Sequence, residues 1–299
     1  MMSSQIDMFV PIAGEVKGKD QQDIMAFPCF SLSKKKRTAV IRFEDSRGSW
    51  IEVSPGKYGM ATIWDCDVLL YFATTIKEMQ NRGEEKRYSF TVSGYDVLSF
   101  CKRGTAKKDY EALRAALRRL QSTSVETNIR LESYIDSETG DEITPEQYHN
   151  FSWVRDWKEE RRWRRSYKTG KNQLISDGFE VHLPEWFVDG CWNERLLLSI
   201  NSKYFELTGG YERFLYRIAR KFCGQQSSWT ISMRGLYKRS GTTSNYRMFC
   251  HYIKEVVESG NVPDYYFVMF QDERGEKKLE VTRNPYDTSG LMSVIASTA

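Results

Sequence analysis

The chain has 299 residues, enough for two domains of ordinary size, and 40% of them are hydrophobic, so most of it can fold around a core and is not disordered. No apolar run is long enough to cross a bilayer, so we expect no membrane association. Six cysteines lie far apart without a C-x-x-C pair, which predicts reduced, buried thiols and a cytoplasmic protein.

The charge is unevenly distributed along the chain. The net value of +4 alone predicts no partner, but lysine and arginine are concentrated in the windows 102–130, 153–171 and 213–254. The third window holds nine basic residues and no acidic one. This segregation predicts a surface that faces a polyanion, although a single basic window is also typical of a solvated helix face.

The N-terminal region is predicted to be rich in strands. Residues 1–25 are polar and lack a period, which predicts a flexible arm. Residues 29–32, 38–43 and 50–53 have the composition of strands. The basic run 34–37 between the first two is either a solvated turn or a phosphate contact.

A helical period begins near Thr62 and ends near Gly83. Residues 88–92 then alternate like a strand, and Ser93 can cap a short helix. A second, amphipathic helix follows a basic turn. Its predicted inward stripe has the spacing i, i+3, i+7, i+10 and consists of Tyr110, Leu113, Leu117 and Leu120.

The same order recurs later in the chain. Residues 229–232 match 90–93 in character, since each run is aromatic, Thr, β-branched, Ser, and a short helix and a basic turn follow both. A second stripe then repeats the spacing of the first with Tyr246, Phe249, Ile253 and Val256. Residues 265–270 and 277–282 close this part as a hairpin. An internal duplication is the simplest account of these matches.

The repeated order of elements predicts an α+β protein with two tandem winged-helix domains and a β-rich N-terminal extension. The predicted division is a flexible arm at 1–25, a first winged-helix domain with a long wing at 26–195, a second at 196–285 and a tail at 286–299. A winged helix places one helix in the major groove of duplex DNA and holds it there with the preceding short helix.

Geometry selects the residues expected to contact DNA in the second domain. The start of the recognition helix would meet base edges, where Arg247 can form two hydrogen bonds with a guanine and Asn245 two with an adenine. The preceding turn and the wing would bind phosphates. The alternative is a solvated helix start in which Thr243 or Ser244 is only an N-cap. The predicted set is Lys238, Arg239, Thr242, Thr243, Ser244, Asn245, Arg247, Lys277 and Lys278.

The first domain offers a more basic but less regular surface. Asp109 and Glu111 interrupt its helix, and the arginines that follow Trp153 and Trp157 either enter a minor groove or edge a hydrophobic cluster. The predicted DNA-binding residues here are Lys107, Lys108, Arg114, Arg118, Arg161, Arg162, Arg164 and Arg165.

Motifs for catalysis are missing from the sequence. It has no phosphate-binding loop, no G-x-G-x-x-G and only three scattered histidines, so we predict no enzyme activity, no metal and no cofactor. The alternatives are a winged-helix transcriptional repressor and a tyrosine-dependent nickase or recombinase. Seventeen tyrosines make a lone nucleophile impossible to select by sequence.

Two blocks of the sequence resemble the plasmid replication initiator protein A family. Residues 57–69, KYGMATIWDCDVL, are similar to its G-x-A-T-I-x-D-x-D-V-L signature, and residues 183–187 with 204–221 resemble a second block. The resemblance covers the chain from about 27 to 284.

This resemblance implies a plasmid initiator that binds repeated double-stranded sites at an origin. It also implies that the protein helps to open an adjacent A·T-rich segment and recruits host replication proteins, namely an initiator and a helicase. In related initiators dimers repress and monomers initiate, which implies a homodimer through the first winged-helix domain.

Overall fold

The structure, a computed structural model, describes residues 17–131, 148–165 and 172–284, together with positions 134–135, 142–143, 167 and 170. The side chain of Arg164 and the predicted tail at 286–299 lie outside the described residues, as do the first 16 residues of the predicted arm. No described helix is long and apolar enough to cross a membrane.

The part of the predicted arm that the structure describes is folded. Strand β1 (Lys19–Gln21) pairs antiparallel with β11 (Leu197–Ser199), and helix α1 (Gln22–Ala26) follows it. Asp20 and Gln21 are buried, as are the apolar residues of α1. The prediction of a flexible arm is therefore wrong from residue 17 onward, because a polar composition does not reveal partners almost 180 residues away.

The first winged-helix unit begins with a helix that starts within residues 57–69, the block with the signature motif. Its elements are α2 (Cys66–Asn81), β4 (Ser89–Val92), α3 (Gly94–Phe100), α4 (Lys107–Ser122), β9 (Asp156–Arg165) and β10 (Asn172–His182). Ser93 caps α3 as predicted, since its side chain accepts a hydrogen bond from the Tyr95 amide at 3.1 Å. The predicted stripe on α4 faces inward at its three leucines, while Tyr110 is half-buried.

The second unit repeats this order. Its elements are α6 (Gly210–Phe222), β12 (Ser228–Ser232), α7 (Met233–Ser240), α8 (Tyr246–Ser259), β13 (Tyr265–Gln271) and β14 (Lys277–Arg283). In both units the last strand of the hairpin lies between the other two, in the orders β4-β10-β9 and β12-β14-β13, with every pairing antiparallel. The sequence repeat therefore corresponds to a repeat of topology. We call β9–β10 the first wing and β13–β14 the second wing.

A separate four-stranded sheet is formed by two strands that precede α2 in the chain and two that lie between α4 and β9. Its strands, in spatial order, are β2 (Ile41–Glu44), β3 (Trp50–Ser54), β5 (Ser124–Thr127) and β8 (His149–Ser152). A two-stranded ribbon, β6 (Tyr134–Ile135) and β7 (Glu142–Ile143), lies between β5 and β8 in the chain. Residues 29–32, predicted as a strand, form only an isolated bridge from Ser31 to Thr62.

The four-stranded sheet packs against the second unit. Gly241 ends α7 in the left-handed conformation, with a φ of +55°. A Cβ at this glycine would lie 2.8 Å from Pro28 and 3.1 Å from Ile41 of β2. The guanidinium of Arg37 donates to the Gly241 carbonyl. The turn between α7 and α8 is thus held by the N-terminal region.

The connection between the units runs from residue 183 to residue 209 and is buried mainly in its first third. It comprises α5 (Glu185–Trp192), a 3₁₀ turn at Glu194–Leu196, β11 and a second 3₁₀ turn at Ser202–Glu206. The predicted domain boundary between 195 and 196 falls just before β11. Buried apolar side chains form one continuous cluster that includes residues of both units.

Candidate nucleic-acid interface

Helix α8 has one face in the core and one in solvent. Phe249, Ile253 and Val256 are buried as the periodicity predicts, and Tyr246 is half-buried. The opposite face is exposed and consists of Arg247, Met248, His251, Lys254, Glu255 and Glu258. A helix with a single inward stripe can present its whole outer face to another molecule.

The outer face of α8 is basic at its start and balanced at its end. His251 lies 3.3 Å from Glu255, and Lys254 lies 3.4 Å from Glu258. Arg247 is exposed and makes no ion pair within the described part of the chain. A cation in the first turn opposes the helix dipole, so this arginine does not stabilise the helix that carries it. Its position therefore suits an external anion.

The predicted contact residues before Arg247 form a turn and do not belong to the helix. Asn245 is the N-cap of α8, because its side-chain oxygen accepts a hydrogen bond from the Met248 amide at 2.9 Å. The cap uses one of the two lone pairs of that oxygen and none of the amide hydrogens, so the paired contact of Asn245 with an adenine stays a prediction. Neither Thr243 nor Ser244, which the sequence offered as N-caps, caps the helix.

The hydroxyl of Tyr211 on α6 anchors this turn. This hydroxyl lies 2.9 Å from Thr242 Oγ1 and 3.5 Å from Ser244 Oγ. The ring of Tyr211 stacks on that of Tyr252 of α8, with 5.0 Å between the centroids. Thr242 and Ser244 are half-buried and shape the turn, whereas Thr243 is exposed. Of the three hydroxyl residues predicted to reach DNA, Thr243 is the most accessible one.

The two basic residues at the end of α7 differ in role. Lys238 is exposed, as a phosphate contact requires. Arg239 instead donates to the Ala26 carbonyl at 3.0 Å, and its guanidinium lies 5.2 Å from the ring centroid of Phe43 and 4.9 Å from that of Phe222. The prediction of a phosphate contact at Arg239 is wrong for this structure, because the side chain fastens α7 to the N-terminal region.

The second wing is less basic than its lysines suggest. Lys277 is exposed, but the ammonium of Lys278 lies 2.8 Å from the Asp272 carboxylate. This carboxylate raises the pKa of Lys278 through a hydrogen bond. The turn also carries Glu273 and Glu276. Lys277 therefore remains as the predicted phosphate contact, and Lys278 is paired within the wing.

The recognition helix of the first unit is partly neutralised by the protein itself. Lys107, Lys108 and Arg118 are exposed. Arg114 instead forms two hydrogen bonds, of 2.9 and 2.8 Å, with Glu159 of the first wing, whose side chain is only 5% exposed. The prediction that Arg114 binds DNA is therefore wrong here, because this side chain fixes the wing against α4.

The first wing is a long hairpin, and the described side chains in the second half of β9 are exposed. Arg161, Arg162 and Arg165 are exposed, with Arg161 lying 3.3 Å from Glu159. Trp153 is fully buried and Trp157 half-buried, whereas Trp163 is 70% exposed. The sequence left two alternatives for these arginines, entry into a minor groove or the charged edge of a hydrophobic cluster. Trp153 and Trp157 do pack at the start of the segment, and the minor-groove contact stays a prediction.

Sequence reasoning missed the ion pairs of two buried aspartates, one of which joins the two units. Asp67 of α2 is fully buried and accepts from Arg213 of α6 at 2.6 Å and from Arg103 at 2.8 Å. Burial raises the pKa of the Asp67 carboxyl, and the two guanidinium groups oppose that shift. Asp65 accepts two hydrogen bonds of 2.7 Å from Arg119. The feature of the sequence that could have indicated these pairs is the presence of Asp65 and Asp67, two positions apart, in the signature block at 57–69.

Among the described residues no group of three or more His, Cys, Asp or Glu side chains is placed to hold a metal ion. The exposed groups at the start of α8 and in the turn before it include the cations of Arg247 and Lys238 and the hydroxyl of Thr243. Such groups bind anions by charge and hydrogen bonding.

Comparison with known proteins identifies the family. The sequence profile of the family described as Replication initiator protein A matches residues 19–267. A protein of Wigglesworthia glossinidia brevipalpis named "Putative replication protein" is 32% identical over 258 residues, which are 85% of this chain and 86% of that protein.

Two solved structures share the fold. The crystal structure of selenomethionine derivatives of domains 2 and 3 of RctB aligns with a TM-score of 0.60 at 11% identity, covering 88% of this chain and 98% of that one. A second crystal structure of RctB domains 2–3 has a TM-score of 0.50 at 13% identity and covers 88% and 96%. The predicted α+β fold of two tandem winged-helix units is confirmed. The profile match and the similar replication protein place the chain in the replication initiator protein A family.

Proposed function

We propose that this protein initiates plasmid replication by binding repeated double-stranded DNA sites at an origin, with α8 of the second unit in the major groove. It then promotes local opening of the origin and recruits host replication proteins. It acts by binding and not as an enzyme. The observation that carries the proposal is the outer face of α8, where Arg247 is exposed beside the helix start and makes no ion pair with any residue that the structure describes.

The charge on α8 supports this orientation. Its first two turns carry Arg247 and His251 but no carboxylate, whereas both glutamates on the outer face lie in the last two turns. The N-terminal turns of a recognition helix meet base edges, and an arginine there can bind the O6 and N7 atoms of guanine with two hydrogen bonds. A contact of this kind contributes about 1–3 kcal/mol of discrimination.

Phosphate contacts would flank the helix on both sides. Lys238 and Thr243 are exposed before α8, and Lys277 is exposed on the second wing. Contacts of this type set affinity and register without reading sequence. The recognition helices of two winged-helix units that occupy successive major grooves would be about 34 Å apart, so we expect a footprint longer than one helical turn.

Selection of sites from a randomised duplex pool by the full-length chain tests the proposal directly. We expect a recurring sequence, and we expect Arg247→Ala to lower affinity for it by about 1–3 kcal/mol and to relax the base preference at one position. Arg195→Ala is the matched control, because Arg195 is equally exposed but lies outside both helix-turn-helix motifs. If Arg247→Ala kept the full base preference, α8 would not be the reading helix.

Initiation is distinguished from repression by a plasmid that carries the gene and the selected sites. The proposal expects this plasmid to be maintained in a host without another initiator and to be lost when Arg247 is replaced. Repression without maintenance would identify a transcriptional repressor instead. A covalent protein–DNA adduct on supercoiled DNA with divalent metal would refute the non-catalytic mechanism.

A further inference from the structure

Trp163 is an exposed indole on the distal half of the first wing. It is 70% exposed, although an indole is among the largest apolar side chains and normally packs. It lies on β9, which pairs with β10 alone and forms an edge of the sheet. Arg161 and Arg165 are two positions away on either side and are both exposed, so the three side chains share one face of the strand.

From residue 161 onward the charge along the chain is one-sided, and the carboxylate before it, Glu159, lies 3.3 Å from Arg161. Residues 161–176 contain six lysines and arginines and no aspartate or glutamate. The turn of the second wing contrasts with this, because residues 272–278 contain three carboxylates and three cations. The two wings have the same topology but differ in charge, so the basic character of the first wing is not a requirement of the fold.

We propose that this face of the first wing, formed by Arg161, Trp163 and Arg165, binds single-stranded DNA. Surfaces that bind single strands combine cations along the backbone with an aromatic ring on which a base stacks. Within a duplex the faces of the bases are covered by their neighbours, whereas an unpaired strand offers them freely. An exposed indole between two arginines matches the unpaired strand better than it matches a duplex groove.

The spacing along β9 fits this assignment. Alternate residues on a strand are about 6.6 Å apart, so Arg161 and Arg165 span about 13 Å with the ring of Trp163 between them. This length accommodates a few nucleotides, with phosphates at the arginines and a base on the indole. The bidentate contact between Arg114 and Glu159 holds the base of β9 against α4, which fixes where the site projects from the first unit.

The role of this site at an origin rests on the proposed function, because the site would bind the single strand that is exposed when the origin duplex opens. The binding itself is separate from duplex recognition. It uses the wing of the first unit, whereas duplex recognition is proposed for α8 of the second unit. The two activities can therefore be lost independently.

The test measures fluorescence anisotropy of a labelled oligo(dT) of about 20 nucleotides with the full-length chain at low salt. We expect Trp163→Ala to weaken binding about tenfold to a hundredfold, because stacking on one aromatic ring is lost. Trp163→Phe should retain most of the affinity. Tyr266→Ala is the matched control, since Tyr266 is a 54% exposed aromatic residue on the second wing, and it should leave the affinity unchanged.

The same variants are measured on the duplex obtained by site selection. Trp163→Ala should bind this duplex as the parent protein does, and Arg247→Ala should lose duplex affinity while keeping affinity for oligo(dT). The inference is overturned if oligo(dT) does not bind, if Trp163→Ala binds it as tightly as Tyr266→Ala does, or if Trp163→Ala loses both ligands equally. If no duplex site is selected but oligo(dT) binding still depends on Trp163, the proposed function fails and the single-strand site stands.

Discussion

The buried ion pair between Asp20 and Arg217 makes a quantitative prediction about stability. The Arg217 guanidinium donates to the two Asp20 oxygens at 2.8 and 3.2 Å, and the side chains are 5% and 2% exposed. Replacing Arg217 by Met leaves a buried carboxylate whose remaining hydrogen bond comes from the Gln21 amide at 2.8 Å. Breaking a buried pair in this way costs about 3–5 kcal/mol. At about 2–4 °C for each kcal/mol, the melting temperature should fall by about 6–20 °C.

The pH dependence of Arg217→Met follows from Asp20. Burial already raises the pKa of this carboxyl in the folded protein, and Arg217 opposes the shift. Without the guanidinium the pKa rises further, so protonated Asp20 favours the folded state below its unfolded pKa, and this contribution is lost as the pH increases. The loss of stability should therefore be smallest near the unfolded pKa of about 4 and should grow as the pH rises through the raised folded pKa.

Thermal unfolding followed by circular dichroism measures both effects, with Asp20→Asn combined with Arg217→Met as the control. This double variant has no buried charge at the site, so it should be at least as stable as Arg217→Met alone. The pair is not coupled if Arg217→Met lowers the free energy of unfolding by less than about 1 kcal/mol. It is also not coupled if the double variant loses the sum of what Arg217→Met and Asp20→Asn lose singly.

Three further results are expected. Lys277→Ala should weaken binding to all duplex sequences about equally and, in a salt titration, reduce the slope of log K against log salt concentration (the salt slope) by about one unit. Lys278→Ala should change this slope less, because its ammonium is paired. Arg239→Ala should lower the melting temperature without changing the salt slope, since the guanidinium is used inside the protein; an unchanged melting temperature with a lower slope would restore its role as a phosphate contact. A thiol reagent near neutral pH should label Cys250 first and the other five cysteines only after unfolding, because those five are buried and burial raises their pKa values; rapid labelling of all six would contradict the packing.

Periodicity predicted the elements of the two units well, because the signal is local. The inward stripe of α8 could be predicted since a helix of its length shows the period of 3.6 several times. The capping of α3 by Ser93 was equally local. The order of elements then predicted the winged-helix topology, including the hairpin that closes each unit.

The role of individual polar residues was predicted less well, because it depends on partners that are distant in sequence. Arg114 and Arg118 look alike on α4, yet only Arg114 meets a carboxylate, 45 residues further on. Thr242 looks like a DNA contact until Tyr211, 31 residues earlier, is placed beside it. A basic helix face in the sequence is therefore an upper limit on the charge that is free to bind DNA.

The two blocks that resemble the initiator family meet in space, and this contact gives a physical reason for their residues. Asp67 lies in the first block and Arg213 in the second, and their buried pair joins the first helix of one unit to the first helix of the other. Gly210 in the second block packs so closely that a Cβ there would lie 2.0 Å from the Leu32 carbonyl oxygen. These residues are fully used inside the protein, so they fix the geometry between the units. Under the proposed function, the reading of DNA would fall to exposed residues such as Arg247, whose replacement would leave that geometry undisturbed.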